Sequence, residues 1–199
     1  MSRLTTRILL VVLGIAAVAG AAMLGYLAGL RLGTEPRLVS FDESLVVDRT
    51  SEWLEIPAPD AEFEALDGTT VRLSEYRGGV VVLNFWGTWC PPCVREIPEL
   101  VALQPDLEAV GGTVLGPAID SGSRERIEAF LADFGVNYPI VIGSGSQAIG
   151  DFGAIGYPFT LLIDADGVIR RRYLGPQTAD GLLADVRRLL EGEADGAGP

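Results

Sequence analysis

Apolar residues recur along this chain in several distinct rhythms. From Ile8 to Leu30 they run for 23 residues without a formal charge. As a helix that run spans roughly 34 Å, enough for a bilayer hydrocarbon core. Pro57 to Gly79 holds two turn signals, Asp67-Gly68 and Gly78-Gly79, around the extended run TTVRL, which predicts a small hairpin covering one side of a domain. Val80 to Trp86 is continuously apolar except at Asn84, the pattern of a central strand covered on both faces. From Cys93 the rhythm becomes helical through Val94, Ile97, Leu100, Val101, Leu107 and Val110, with Pro98 as an internal break and Gly111-Gly112 as the stop.

Thr113–Ile119 reads as a second strand, made irregular by Gly116-Pro117. Ser123 caps a helix whose inner face is Ile127, Phe130, Leu131 and Phe134, and Gly135 ends it. A short strand over Pro139–Ile142 and a brief helix over Ser146–Phe152 follow. Phe159–Ile163 and Val168–Tyr173 then flank Asp166-Gly167, a strong hairpin signal. The last helix runs from Thr178 to Leu190, with Leu182, Leu183, Val186, Leu189 and Leu190 turned inward. Alternation of strands and helices, closed by a hairpin and a helix, predicts a mixed α/β sheet flanked by helices.

Charge separates the ends of the chain. Residues 1–7 form a short basic segment with Arg3 and Arg7, and Arg31 and Arg37 follow the apolar run, so basic residues alone barely bias its orientation. The reading adopted is a transmembrane anchor over residues 8–30, with the Arg-bearing end inside. A cleaved signal peptide is the alternative, since Ala17-Val18-Ala19 fits the small-residue cleavage pattern. The uninterrupted continuation to Leu30 favours retention. Gly25 and Gly29 have the spacing of a helix-packing pair, which a segment this rich in Ala and Gly also reaches by composition. Residues 31–56 are read as a linker whose apolar positions, Trp53, Leu54 and Ile56 among them, dock in part on a domain at 57–190. Residues 191–199 read as a flexible tail. Over residues 32–199, 12 Arg stand against 27 Asp plus Glu, a net charge of −15, which disfavours nucleic acid and anionic lipid surfaces as partners.

The chain has only two cysteines and no histidine, and both cysteines lie in Cys90-Pro91-Pro92-Cys93, at the junction of a strand and a helix. A thiolate, not a thiol, attacks a disulfide, and a helix start lowers a cysteine's pKa. Pro91 and Pro92 fit a first helical turn, whose amides lack intrahelical acceptors. The competing readings are weaker. A zinc site needs two further ligands, and a structural disulfide this short closes almost no loop. On a redox reading Cys90 is the nucleophile and Cys93, one turn inward, resolves the mixed disulfide. No cofactor and no metal are expected.

The stretch NFWGTWCPPCVREIPEL, with Ala58-Pro59-Asp60 and Asp67-Gly68-Thr69-Thr70-Val71 before it and GYPFTLLIDADG after it, closely resembles the membrane-anchored TlpA/ResA/CcmG-like thiol–disulfide oxidoreductases of the thioredoxin superfamily. The likeness covers residues 57–190 and implies a thioredoxin-like fold with an added N-terminal hairpin. It implies that Pro158 is a cis-proline facing the dithiol, leaving the main chain of Tyr157 to pair with a substrate backbone. Trp89, Pro91, Pro92 and Tyr157 form the substrate platform it implies, while Trp86 reads equally as core. Asn84 stands where thioredoxin has a buried aspartate, and an amide cannot titrate. Glu96, one turn after Cys93, is then a candidate proton relay or else a solvated helix-face residue. The family's glutamate after the second strand is absent: the segment reads Ala118-Ile119-Asp120-Ser121-Gly122, with Gly122 near that position and Asp120 two residues away.

The function so implied is a membrane-tethered protein-disulfide reductase on the periplasmic or extracellular side. Its expected partners are a disulfide-containing client, such as an apocytochrome c or a metal-centre assembly protein, and a membrane electron donor. The alternatives are a disulfide-donating oxidase, a peroxiredoxin-like peroxidase using Thr88 and Arg95, and a non-enzymatic copper-binding assembly module.

Overall fold

The computed structural model describes residues 19–24 and 53–192. The chain falls into two units, Met1–Val47 and Asp48–Pro199. Of the first, residues 19–24 are helical and exposed. Among the described residues no helix is long and apolar enough to cross a membrane; the anchor expected at 8–30 lies mostly outside them, as does the tail from 193 onward.

The second unit is built on a sheet of eight strands. They are β1 (Ile56–Pro57), β2 (Glu62–Ala65), β3 (Thr70–Arg72), β4 (Val81–Phe85), β5 (Thr113–Ile119), β6 (Ile140–Gly143), β7 (Phe159–Ile163) and β8 (Val168–Leu174). Their spatial order is β1-β8-β7-β4-β5-β6-β2-β3. β4, β5 and β6 pair in parallel, β7 pairs antiparallel with β4, and β8 antiparallel with β7. The helices are α1 (Pro91–Ala109), α2 (Arg124–Phe134), α3 (Gly145–Phe152) and α4 (Ala179–Leu190), with a 3-10 turn at Leu73–Tyr76.

Every residue of β4 is buried, as a strand covered on both faces requires. Its side chains alternate between two cores. Val82 and Trp86 join Cys90, Cys93, Leu100, Ile127, Leu182 and Val186. Val81, Leu83 and Phe85 join Leu73, Ala148, Phe152 and Phe159. The irregularity expected at Gly116-Pro117 is a change of partner. β5 pairs with β4 only over Thr113–Leu115, then with β6 from Gly116 to Ile119. Pro117 has no amide hydrogen to give a second neighbour. Its carbonyl still accepts from Trp86 N at 3.2 Å, and Trp86 bridges Ala118.

The helix boundaries follow local chemistry. Ser123, Ser144 and Thr178 each accept a bond from an amide in the first turn of α2, α3 and α4. Gly135 (φ 60) and Gly153 (φ 68) end α2 and α3 in the left-handed conformation that glycine adopts most readily. Pro98 and Pro105 both lie inside α1. One expected core position is corrected: Leu190, at the last residue of α4, is exposed. The β2–β3 hairpin extends the sheet, because β2 pairs antiparallel with β6. At the other end, Ile56 and Pro57 pair with Ile169 and Val168, and Leu54 N donates to Arg170 O at 2.7 Å.

Candidate active site

β4 delivers the chain to Trp86, and a short turn carries it to Cys90, the N-cap of α1. Pro91 and Pro92 occupy the first helical positions, where no intrahelical acceptor is lost. Cys90 and Cys93 are joined as a disulfide with a Cα–Cα distance of 5.3 Å. Cys90 Sγ accepts from Cys93 N at 3.4 Å, so a sulfur stands where an N-cap oxygen usually does. That amide and the positive end of α1 stabilise negative charge on Cys90 once the disulfide is opened. Cys90 is 4 % exposed and Cys93 1 %; the order is the expected one, but both sulfur residues are buried.

The two tryptophans separate cleanly. Trp86 is buried, donates Nε1–H to Gly116 O at 3.3 Å and packs on Phe130 with ring centroids 5.6 Å apart. Trp89 is 52 % exposed yet fixed: its Nε1–H donates to Ile119 O at 2.9 Å. The indole lies against Gly87, where a Cβ would come within 2.7 Å of the ring. Its other neighbour is Tyr157, met edge-on at 5.7 Å.

The Tyr157–Pro158 bond is cis. Pro158 precedes β7, and Phe159 pairs with Phe85, so the cis-proline stands at the same end of the sheet from which β4 leads to the dithiol. Pro158 O accepts from Gly175 N at 2.9 Å. The Tyr157 hydroxyl is buried without a hydrogen-bond partner. Its pKa is raised, first by burial and then by the Asp120 carboxylate. Asp120 adopts φ 44, and its Oδ2 accepts from Gly145 N, the first residue of α3, at 3.2 Å. Ser121 Oγ accepts from Thr88 N at 3.1 Å and donates to Ile119 O at 3.0 Å, which secures the turn before Trp89.

Glu96 is not a solvated helix-face residue: it is 1 % exposed. Its Oε2 accepts from Asn84 Nδ2 at 3.0 Å and its Oε1 from Gln177 N at 2.7 Å. Burial dominates and pushes its pKa up to about 7, against those two donors, which lower it. Asn84 Nδ2 also donates to Thr160 Oγ1 at 2.8 Å. Sequence reasoning had named Glu96 and the polar break at Asn84 but not Thr160 or Gln177. The threonine carried a weak signal, a polar residue in the apolar run FTLLI; a loop amide carries none.

Arg95 is exposed on the outside of α1, two residues from buried Cys93, and so on another helix face. Among the described residues no group of three or more His, Cys, Asp or Glu side chains is placed to hold a metal ion.

A disulfide-bonded CxxC at a helix start, with a cis-proline at the same end of a mixed sheet flanked by helices, defines a thiol–disulfide oxidoreductase of thioredoxin-like fold. The model of the AhpC/TSA family matches residues 55–172. Thiol-disulfide oxidoreductase ResA of Geobacillus thermodenitrificans is 38 % identical over 135 residues, 67 % of this chain and 74 % of the relative. Among solved structures, a secreted thiol-disulfide isomerase from Corynebacterium glutamicum is 30 % identical with a TM-score of 0.60, covering 64 % of this chain and 81 % of its own. A DsbF homologue from Corynebacterium diphtheriae is 27 % identical with a TM-score of 0.63, covering 70 % and 92 %. The chain belongs to the AhpC/TSA family and, within the thioredoxin superfamily, to its ResA/TlpA-like thiol–disulfide oxidoreductases.

Proposed function

We propose that this oxidoreductase works as a reductase of client disulfides, tethered to the membrane by residues 8–30, with its catalytic domain at 57–190 on the periplasmic or extracellular side. The observation that carries the chemistry is the Cys90–Cys93 pair at the start of α1, with a buried carboxyl one turn further on. In the reduced protein the Cys90 thiolate attacks one sulfur of a client disulfide. A mixed disulfide forms, and the client's other sulfur leaves as a thiolate that takes a proton from water. Glu96 then accepts the Cys93 thiol proton. The Cys93 sulfur attacks Cys90 Sγ, the client's second thiolate departs, and the Cys90–Cys93 disulfide is left. Two electrons have passed to the client, and a membrane electron donor restores the dithiol.

Trp89, Pro91, Pro92 and Tyr157 serve as the platform for the client segment, and the main chain of Tyr157 ahead of cis-Pro158 pairs with its backbone. The client is a protein disulfide, with an apocytochrome c or a metal-centre assembly protein as the candidates that the family suggests. A peroxidase would need an arginine at the nucleophile, and the exposed side of α1 is the wrong place for it.

Replacing Cys93 with Ala tests the assignment. Clients accumulate as mixed disulfides through Cys90, and a Cys90→Ala protein traps none; trapping through Cys93 alone contradicts it. A reduction potential above about −150 mV would reverse the direction of electron flow to that of an oxidase. Extraction of membranes at alkaline pH tests the tether, and release of residues 57–199 as a soluble product would mark the apolar run as a cleaved signal.

A further inference from the structure

Glu96 is held by hydrogen bonds alone. Asn84 in β4 commits one amide group to two acceptors, Glu96 Oε2 at 3.0 Å and Thr160 Oγ1 at 2.8 Å. Asn84 and Thr160 are register partners across β4 and β7. All three side chains are at most 1 % exposed. An amide so placed cannot turn over without leaving buried donors unmet. The other carboxyl oxygen, Oε1, is held from the opposite direction by the amide of Gln177 in the β8–α4 loop.

The titratable groups around Glu96 are few. On its own helix Cys93 lies one turn back, and Glu99, which accepts from Ala179 N at 2.9 Å, lies one turn on. From the segment ahead of β6 comes Tyr138, whose ionisation is pushed up by burial and then by Glu96. β4 contributes Asn84, β7 contributes Thr160, and the β8–α4 loop contributes a backbone amide. No ion pair joins Glu96 to an arginine among the described residues. Hydrogen-bond donors therefore take the place of a counter-ion.

We propose that Asn84, clamped by Thr160, is a positioning residue for the proton-transfer step: it holds the Glu96 carboxyl in one pose and, by donating to it, favours its charged, proton-accepting form. This rests on the reading of Glu96 as the proton relay. The residue type follows from the task. A leucine at this position would leave Oε2 without its donor, and an aspartate would set two carboxyls against each other, so that only the pair would have defined titrations. An amide supports a neighbouring carboxylate while exchanging no proton itself.

The test is the pH profile, from 5 to 9, of single-turnover reduction of insulin by the reduced full-length protein. Glu96→Gln removes the inflection near neutrality. Asn84→Ala moves the inflection to higher pH by about one unit, because a donor to the charged form is gone. At pH 7 its rate falls about fivefold, because less of the base is unprotonated. Thr160→Val keeps the side-chain volume, frees the amide and shifts the inflection the same way by less. In a Glu96→Gln background Asn84→Ala has no further effect on the profile. An unmoved inflection in both Asn84→Ala and Thr160→Val overturns the proposal, whatever happens to the rate. If Asn84→Ala fails to fold, Thr160→Val alone decides in the same way. A Glu96→Gln profile identical to that of the unaltered protein instead overturns the relay reading itself, and the two failures are thereby distinct.

Discussion

Two buried carboxylates, Glu96 on α1 and Asp185 on α4, face the same side of the sheet and are kept in opposite ways. Asp185 Oδ1 meets Arg171 Nη1 at 2.5 Å, and its Oδ2 accepts from the Tyr173 hydroxyl at 2.7 Å. Arg188, one turn on, brings a second guanidinium to 3.8 Å. The Arg171 guanidinium in turn lies 5.0 Å from the Trp53 ring and 5.5 Å from that of Tyr173. Glu96 lies deeper, 1 % exposed against 9 % for Asp185, and has two hydrogen-bond donors but no guanidinium; burial raises its pKa to about 7. The two sites differ in counter-ion as well as in depth. A carboxylate given a cation becomes part of the frame; one given only amides stays ready to exchange a proton near neutrality.

The contrast breaks most visibly at the frame. Asp185→Ala leaves the Arg171 guanidinium buried without its partner, and urea unfolding should show a loss of about 3–5 kcal/mol. Adding Arg171→Met recovers most of that loss, since the cost is the stranded charge rather than the missing pair. Next in size is a slope in stability with pH. The folded protein holds the Glu96 proton more tightly than the unfolded chain, whose carboxyl keeps its ordinary value of 4.5. This contribution is therefore full below about pH 4.5, falls as pH rises toward 7 and levels off above it, by roughly 3 kcal/mol in all. Glu96→Gln should flatten that part of the curve when unfolding midpoints are compared across the range. The smallest effect belongs to Trp53→Ala, which removes the aromatic face over Arg171 and should cost about 1–2 kcal/mol. It should leave the Glu96-dependent slope unchanged, because Trp53 contacts Arg171 while Glu96 is held by Asn84 and Gln177.

The frame and the proton-exchanging site were unequally legible in the sequence. The strand leading to CxxC, the cap at Ser123 and the Asp166-Gly167 hairpin are local patterns, and each lies where its chemistry places it. Glu96 was ambiguous for a physical reason. It falls in the buried stripe of α1 with Cys93, Ile97, Leu100 and Leu107, so the period placed it inside while its charge placed it outside. Donors 12 and 81 residues away in sequence decided the matter, and no window along the chain contains both. The run Ile169–Tyr173 posed the same difficulty: alternation sends Arg171 inward, where only Asp185, supplied by the next helix, makes an arginine tolerable. Leu190 shows the converse, an apolar residue in phase with the helix but past the point where anything covers it.

The order of the strands has a consequence for the company this protein keeps. Both outer positions of the sheet are filled by residues that precede β4: Ile56–Pro57 beside β8, and the β2–β3 hairpin beyond β6. An open strand edge is a template for any extended chain. Here one rim ends in a two-residue strand containing a proline, which has no amide hydrogen to offer. The other ends in three residues whose Arg72 is engaged with Glu62 and Asp60. Strand addition along the flanks is thereby discouraged, and a visiting polypeptide is left the end of the sheet where the sulfurs lie. One short stretch of chain ahead of β4 thus closes both rims of the sheet.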